Sequence, residues 1–260
     1  MKTPLSLVWM TVFILVPVLA PSIGQLIIIT LSWKFIPITI MLFCFSLGLW
    51  IFIFQIETIK IRKSLSFQEI LNGMIEVLNS RICRSYTITA GLTFGVLVSF
   101  LNISQPLFQE HLSTGKYFSI YFGAGALAVG LGSVLNAKLV TKFDPVKIVG
   151  ISLKFELIWA LIFLIFFLVG GSKSIFSVML FLIPNFFVFG AIFGNMNAIA
   201  MSPMGHIAGT ASAIIGTSTT LVALPIAGTI AYFFSGSLLP FTLLIIFVTS
   251  LSLLIIRKPI

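Results

Sequence analysis

Eight apolar stretches follow one another along the chain, separated by short polar links. They run over Leu5–Leu31, Phe35–Ile56, Tyr86–Phe108, Tyr117–Ala137, Ile148–Gly170, Ile175–Ala200, Thr210–Phe234 and Leu238–Ile256. Each approaches the roughly 20 residues that a helix needs to cross about 30 Å of hydrocarbon. The period-two alternation of a membrane barrel's strands is missing, so backbone polar groups must be satisfied helix by helix. The pattern predicts an all-α integral membrane protein of about eight transmembrane helices.

One link differs from the others. Over Glu57–Ser85, the residues Leu65, Phe67, Ile70, Leu71, Met74, Ile75 and Leu78 recur at helical spacing among Gln68, Glu69, Asn72 and Glu76. That spacing predicts an amphipathic helix lying on the membrane face. It divides the chain into two spans over 1–56, a linker over 57–85 and six spans over 86–260. The first stretch begins like a signal peptide, with Lys2 and the triplet Val18-Leu19-Ala20. Its apolar character runs on to Leu31 and Pro21 follows Ala20, so it is read as a span.

Composition sharpens the class. Hydrophobic residues make up 59% of the 260 positions and charged ones 8%, with a mean hydropathy of +1.20. A soluble domain carries about a quarter charged residues; here lipid must solvate much of the surface. The net charge of +9, from 15 Lys and Arg against 6 Asp and Glu, is spread over the links. No clustered basic patch with readout groups exists, which argues against nucleic acid as a partner. With the N-terminus inside, twelve of the fifteen cations (Lys2, Lys60, Arg62, Lys63, Arg81, Arg84, Lys138, Lys142, Lys147, Lys154, Arg257 and Lys258) fall on the inner side. Lys34, Lys116 and Lys173 fall outside. The positive-inside rule then places both termini in the cytoplasm, as for a multi-pass protein of a bacterial inner membrane.

Little points to catalysis. Cys44 lies in an apolar run and Cys83 in a basic link, so neither a structural disulfide nor a metal site is expected. His111 and His206 are far apart, and Asp144 is the single aspartate. With no converging acids and no nucleophile–base pair, no catalytic residue, metal or cofactor is expected and an enzyme is disfavoured.

Polar residues inside spans are costly in lipid and tend to face cavities or one another. Ser99, Asn102 and Gln105 stand at i, i+3 and i+6, just before Pro106. They mark either a substrate path or glue between helices. Asn185, beside Pro184, and Asn195 with Asn197 form a second polar set in the sixth span. Gly190 and Gly194 make a G-x-x-x-G suited to close packing. Glu156, the one acid within an apolar run, lies about two turns from the expected start of its span. That position suits an interfacial structural residue, with a proton site as the alternative. Glu110 and His111 fit a solvated outer rim, and His206 a solvated link histidine. The 27 Phe residues read mainly as lipid-facing filler, a few suiting an apolar pocket.

Three segments carry a resemblance. Pro17 to Gln25 read P-V-L-A-P-S-I-G-Q, two prolines and a glycine that break a helix. The segment fits an ordinary kink, and it also resembles the G-P-x-x-G-G motif in the fifth helix of antiporters of the major facilitator superfamily. Ala20 in place of the first glycine and Gln25 in place of the last resemble the bicyclomycin-resistance (Bcr/CflA-type) branch. Ser32-Trp33-Lys34 and Glu57-Thr58 are similar to that branch as well. Gly132 to Phe143, G-S-V-L-N-A-K-L-V-T-K-F, resembles its link between the eighth and ninth helices, or a generic basic link. Ser202 to Ala213, S-P-M-G-H-I-A-G-T-A-S-A, resembles its link between the tenth and eleventh, on Pro203, Gly205, Ala208, Gly209, Thr210, Ala211 and Ser212.

The resemblance implies that the chain corresponds to helices five to twelve: the last two helices of an N-terminal lobe and a complete C-terminal six-helix lobe. It further implies secondary active transport, the efflux of small hydrophobic compounds or drugs by proton antiport. The partners would be the lipid bilayer, a small-molecule substrate and protons, with a separate chain as one source of the first four helices. The alternatives are a nonfunctional remnant or assembly partner of a split transporter, and a metabolite carrier.

Overall fold

The computed structural model describes residues 23–24, 26–55, 66–171 and 174–257. All regular structure among them is helical. The helices are α1 (Phe35–Phe54), α2 (Phe67–Asn79), α3 (Arg81–Gln105), α4 (Phe118–Leu139), α5 (Pro145–Leu168), α6 (Ile175–Met201), α7 (Ala208–Phe233) and α8 (Leu239–Arg257). Among the described residues, six segments are long and apolar enough to cross a membrane. One of them, Ile175–Phe233, turns back at Ser202–Ile207 to give α6 and α7. Seven long helices therefore correspond to the second to eighth expected spans, and the first span falls mostly outside the described residues.

Local chemistry sets the helix starts. Ser66 accepts from the Glu69 N–H, the S-x-x-E arrangement of a capped α2. Ser80 accepts from the Cys83 N–H, so α3 begins at Arg81, five residues before the expected Tyr86. Arg84 donates to the Leu78 carbonyl at 2.8 Å and ties the end of α2 to the start of α3. Asp144 accepts from Val146 N–H at 2.8 Å with Pro145 in the first turn, a favoured helix start. It moves the start of α5 back to Pro145. At the other end of α3, Pro106 breaks the regular ladder and the helix widens over Pro106–His111, with Leu112 N–H donating to Leu107 carbonyl.

α3 to α8 pack as one bundle, with a repeating pattern of neighbours. α3 lies on α7 and α4 on α6; α5 packs on α6 and α3 on α8; α3 meets α6, and α5 meets α8. Exchanging α3, α4 and α5 for α6, α7 and α8 leaves this set of pairs unchanged. Three spans per unit means that the two units enter the bilayer from opposite sides, the arrangement of an inverted repeat. Next to α2 the core holds Cys83, Tyr86, Val149, Leu153, Ile192, Met196 and Ile215. At the far end it is built on phenylalanine: Phe108, Phe181 and Phe241 are fully buried, and the rings of Phe100 and Phe186 meet at 4.6 Å. These rings pack helix on helix, so a share of the phenylalanines read as lipid-facing filler is interior.

The surface is inverted relative to a soluble protein. Ile151, Ile158 and Ile165 on α5 are each more than half exposed, a face that only hydrocarbon can solvate. α1 buries none of its residues. α2 lies against the start of α7, where Gly73 meets Thr210 and Ile207 and Val77 is buried.

Candidate functional site

The polar residues singled out in the spans separate into two groups. Ser99 is fully buried between α3 and α7; its hydroxyl donates to the Gly95 carbonyl at 2.7 Å and reaches the Ile226 carbonyl at 3.5 Å. Asn195 is also buried, in a reciprocal amide pair across α4 and α6. Its Nδ2 donates to Asn136 Oδ1 at 2.7 Å, and Asn136 Nδ2 returns a bond to Asn195 Oδ1 at 3.2 Å. Asn185 is buried beside Pro184, its Nδ2 donating to the Phe181 carbonyl at 2.6 Å. Trp159 Nε1 of α5 reaches the same carbonyl at 3.4 Å. For these three residues the observed bonds are those of helix packing.

Asn102, Gln105 and Asn197 are different. Asn102 and Gln105 are exposed on α3, Asn102 reaching across to the Ala227 carbonyl of α7 at 3.5 Å. Asn197 is partly open on α6 and donates to Phe193 carbonyl at 2.9 Å. The spacing of Ser99, Asn102 and Gln105 put them on one side of α3, and the structure divides that stripe where α7 covers its first member.

A neighbouring set was not singled out from the sequence. Along α7, Gly216, Thr217, Thr220 and Gly228 are exposed, with the exposed Leu221 and Leu224 lying between Thr220 and Gly228. Over residues 208–220 the exposed positions are small or hydroxyl-bearing, whereas Ile151, Ile158 and Ile165 on α5 are large and apolar. Hydropathy averages hide it because Ala, Gly and Thr score near neutral; the signal available was the periodicity of small residues after Ala208. Asn102 reaches α7 at the Ala227 carbonyl, so the uncharged polar groups of the α3–α7 pair lie at two levels, Thr217 with Thr220 and Asn102 with Gln105, separated by the exposed Leu221 and Leu224.

Backbone proximity positions the opposite pair. A Cβ on Gly132 would fall on the Phe187 carbonyl, and one on Gly190 on the Val129 carbonyl. Ser133 donates to the Gly190 carbonyl at 3.1 Å across the same seam. Gly194, four residues on, has open space where its Cβ would be, so half of the expected G-x-x-x-G performs the packing.

The motif after α6 forms a tight turn over Ser202–Ile207 with Met204 buried. Pro203 and Gly205 are exposed in the turn, Thr210 lies over Gly73, Ala211 is fully buried, and Ala208, Gly209 and Ser212 are exposed. His206 Nε2 lies 2.7 Å from Glu76 Oε1 of α2, both groups exposed. The expected solvated link histidine thus also ties α2 to this turn. Of the first-span motif, Gly24 is helical, while Pro17, Ala20, Pro21 and Gln25 lie outside the described residues.

Cavities flank the bundle at both ends. One, about 560 Å³, is lined by Leu107, His111, Gly170, Ser235 and Gly236 among others, at the end away from α2. Another, about 480 Å³, lies between α2 and the start of α7 and includes Glu76 and His206. None of the six polar span candidates lines either one. Glu156, expected at an interface, is buried instead. Because α5 starts at Pro145, Glu156 stands eleven residues along a helix of 24, about 16 Å from its end. No group of three or more potential metal ligands occurs among the described residues.

The sequence model of the family described as Major Facilitator Superfamily matches residues 6–227. The chain is similar to a Bacillus subtilis (strain 168) protein described as an uncharacterized MFS-type transporter, YdgK, with 24% identity over 212 residues. That match covers 80% of this chain and 52% of the relative, so the chain spans about half the relative's length. No solved structure matches the chain.

Proposed function

The chain belongs to the major facilitator superfamily, a family of membrane transporters, and from that premise we propose that it serves in secondary active efflux of small hydrophobic compounds by proton antiport. In this reading residues 86–260 are a C-terminal six-helix lobe, 57–85 the cytoplasmic inter-lobe linker, and 1–56 the last two helices of an N-terminal lobe. Both termini lie in the cytoplasm of a bacterial inner membrane.

The observation that carries the proposal is the wall formed by α3 and α7. Asn102, Gln105, Thr217 and Thr220 are exposed within membrane-spanning helices, where a lipid-facing surface would be apolar. Such a wall suits one side of an aqueous path, with α4 and α6 held behind it by the Gly132–Gly190 seam. It has no charge, so it favours neutral or weakly polar substrates over anions.

A path needs two walls. α1 buries none of its residues, which favours assembly with further helices from a separate chain or segment. The Bcr/CflA-type resemblance supports drugs as the substrate class.

Resistance profiling tests this. Cells expressing the chain together with a chain supplying four further helices should survive higher doses of hydrophobic antibacterials, and everted vesicles from them should release protons when substrate is added. Cells with the chain alone should show neither effect. Proton movement that no compound elicits, with an unchanged resistance profile, would defeat the proposal.

A further inference from the structure

Glu156 is 6% exposed and has a single hydrogen-bond partner among the described residues, Thr249 Oγ1 of α8, which donates to its Oε2 at 3.3 Å. On its other side lies a cavity of about 10 Å³, shared with Val96 and Leu97 of α3, Asn185 of α6, and Phe241 and Ile245 of α8. That volume is close to one water molecule. Asn185 is 5% exposed; its amide nitrogen is spent on the Phe181 carbonyl, and its Oδ1 has no partner among the described residues. Four helices therefore enclose a carboxyl group and an orphan acceptor around a space for one water.

Among the described residues no cation offsets a charge there. α6 carries no ionisable side chain along Ile175–Met201, and α8 carries Arg257 alone, at its last residue. On α3, Arg81, Cys83, Arg84 and Tyr86 are at least ten residues from Val96, and Glu110 and His111 are at the opposite end. On α5, Lys147 is nine residues away. Lys154, two residues from Glu156, points to another side of the helix, where it and Arg257 line a separate cavity. An ionised carboxylate with one hydroxyl donor would be an isolated charge in hydrocarbon. The neutral acid fits every group present: Oε2 accepts from Thr249, and the Oε1 hydroxyl donates to a water that donates on to Asn185 Oδ1.

We propose that Glu156 is a proton-binding site inside the membrane, loaded in this packing and discharged when α5, α6 and α8 part to admit water. On discharge the O–H bond breaks, the carboxylate keeps the electron pair and water takes the proton. Its use in coupling rests on the antiport reading above; the site itself does not.

The test uses infrared pH-difference spectra of the full chain in lipid nanodiscs, recorded with and without ¹³C-labelled glutamate. The expected result is a carbonyl band of a neutral carboxylic acid that shifts with the label and disappears reversibly on alkalinisation. It should be lost in E156Q, retained in E110Q, and displaced but still present in T249V. Should E156Q not fold, the T249V displacement carries the assignment. A spectrum with no Glu156-dependent acid band overturns the proposal, as does a band that persists unchanged until the protein unfolds. If the band titrates while vesicles show no substrate-elicited proton release, the site stands and the antiport reading falls.

Discussion

Gly190→Ala is expected to lower the thermal stability of the detergent-solubilised chain by about 1–3 kcal/mol, the range for overpacking a tight contact. Gly194→Ala, one helical turn further along, should stay within about 0.5 kcal/mol of the parent. The two glycines share one G-x-x-x-G and read alike in the sequence. They differ in what a methyl group would meet. At Gly190 it falls on the Val129 carbonyl and close to the Ser133 backbone nitrogen; at Gly194 nothing lies within 4 Å. Backbone cannot rotate aside as a side chain can, so α4 and α6 would have to separate, and the Ser133 bond to Gly190 would go with them. Gly132→Ala should behave like Gly190→Ala, because its Cβ strikes the Phe187 carbonyl across the same seam. Melting curves followed by size-exclusion chromatography measure all three. Equal losses at positions 190 and 194 would contradict the packing described here.

The second large effect concerns the amide pair. Asn195→Leu should destabilise the bundle by about 1–2 kcal/mol, the scale of interhelical polar contacts in lipid. It leaves the Asn136 amide facing a side chain that can neither donate nor accept. Replacing both residues should recover part of the loss, because the orphaned amide goes too; the coupling in a double-mutant cycle should be about 0.5 kcal/mol or more. The cycle also decides the role of Asn195. As packing glue it moves stability and leaves substrate profile alone. A variant that melts like the parent but transports different compounds would return Asn195 to the substrate path.

Much of the architecture was legible in the sequence because its signals are strong in lipid. A span must be apolar for about 20 residues, so seven of the eight expected stretches match described helices to within a few residues. The amphipathic link declared itself through the helical spacing of Phe67, Ile70, Leu71, Met74, Ile75 and Leu78. Side-chain environment was harder to read. The positions of Ser99, Asn102 and Gln105 gave their shared face on α3, but not that α7 would cover the first and leave the others open. Glu156 was placed near an interface because the apolar run starts at Ile148. The helix starts at Pro145, capped by Asp144, and three residues of extra length carry Glu156 to the middle of the span. Its cavity neighbour Asn185 and its hydrogen-bond partner Thr249 lie 29 and 93 positions along the chain, beyond any local pattern. The α7 face was invisible to hydropathy because small residues fit lipid, packing and water alike.

The most direct measurement of the account is cysteine accessibility on the α3–α7 wall. In a background with Cys44 and Cys83 replaced, Asn102→Cys, Thr217→Cys and Thr220→Cys should react with a membrane-impermeant maleimide in native membranes open on both faces. Ile158→Cys, on the hydrocarbon face of α5, should not. Protection of all four positions would mean that the α3–α7 surface meets lipid or protein rather than water, and the transport path drawn along it would be wrong.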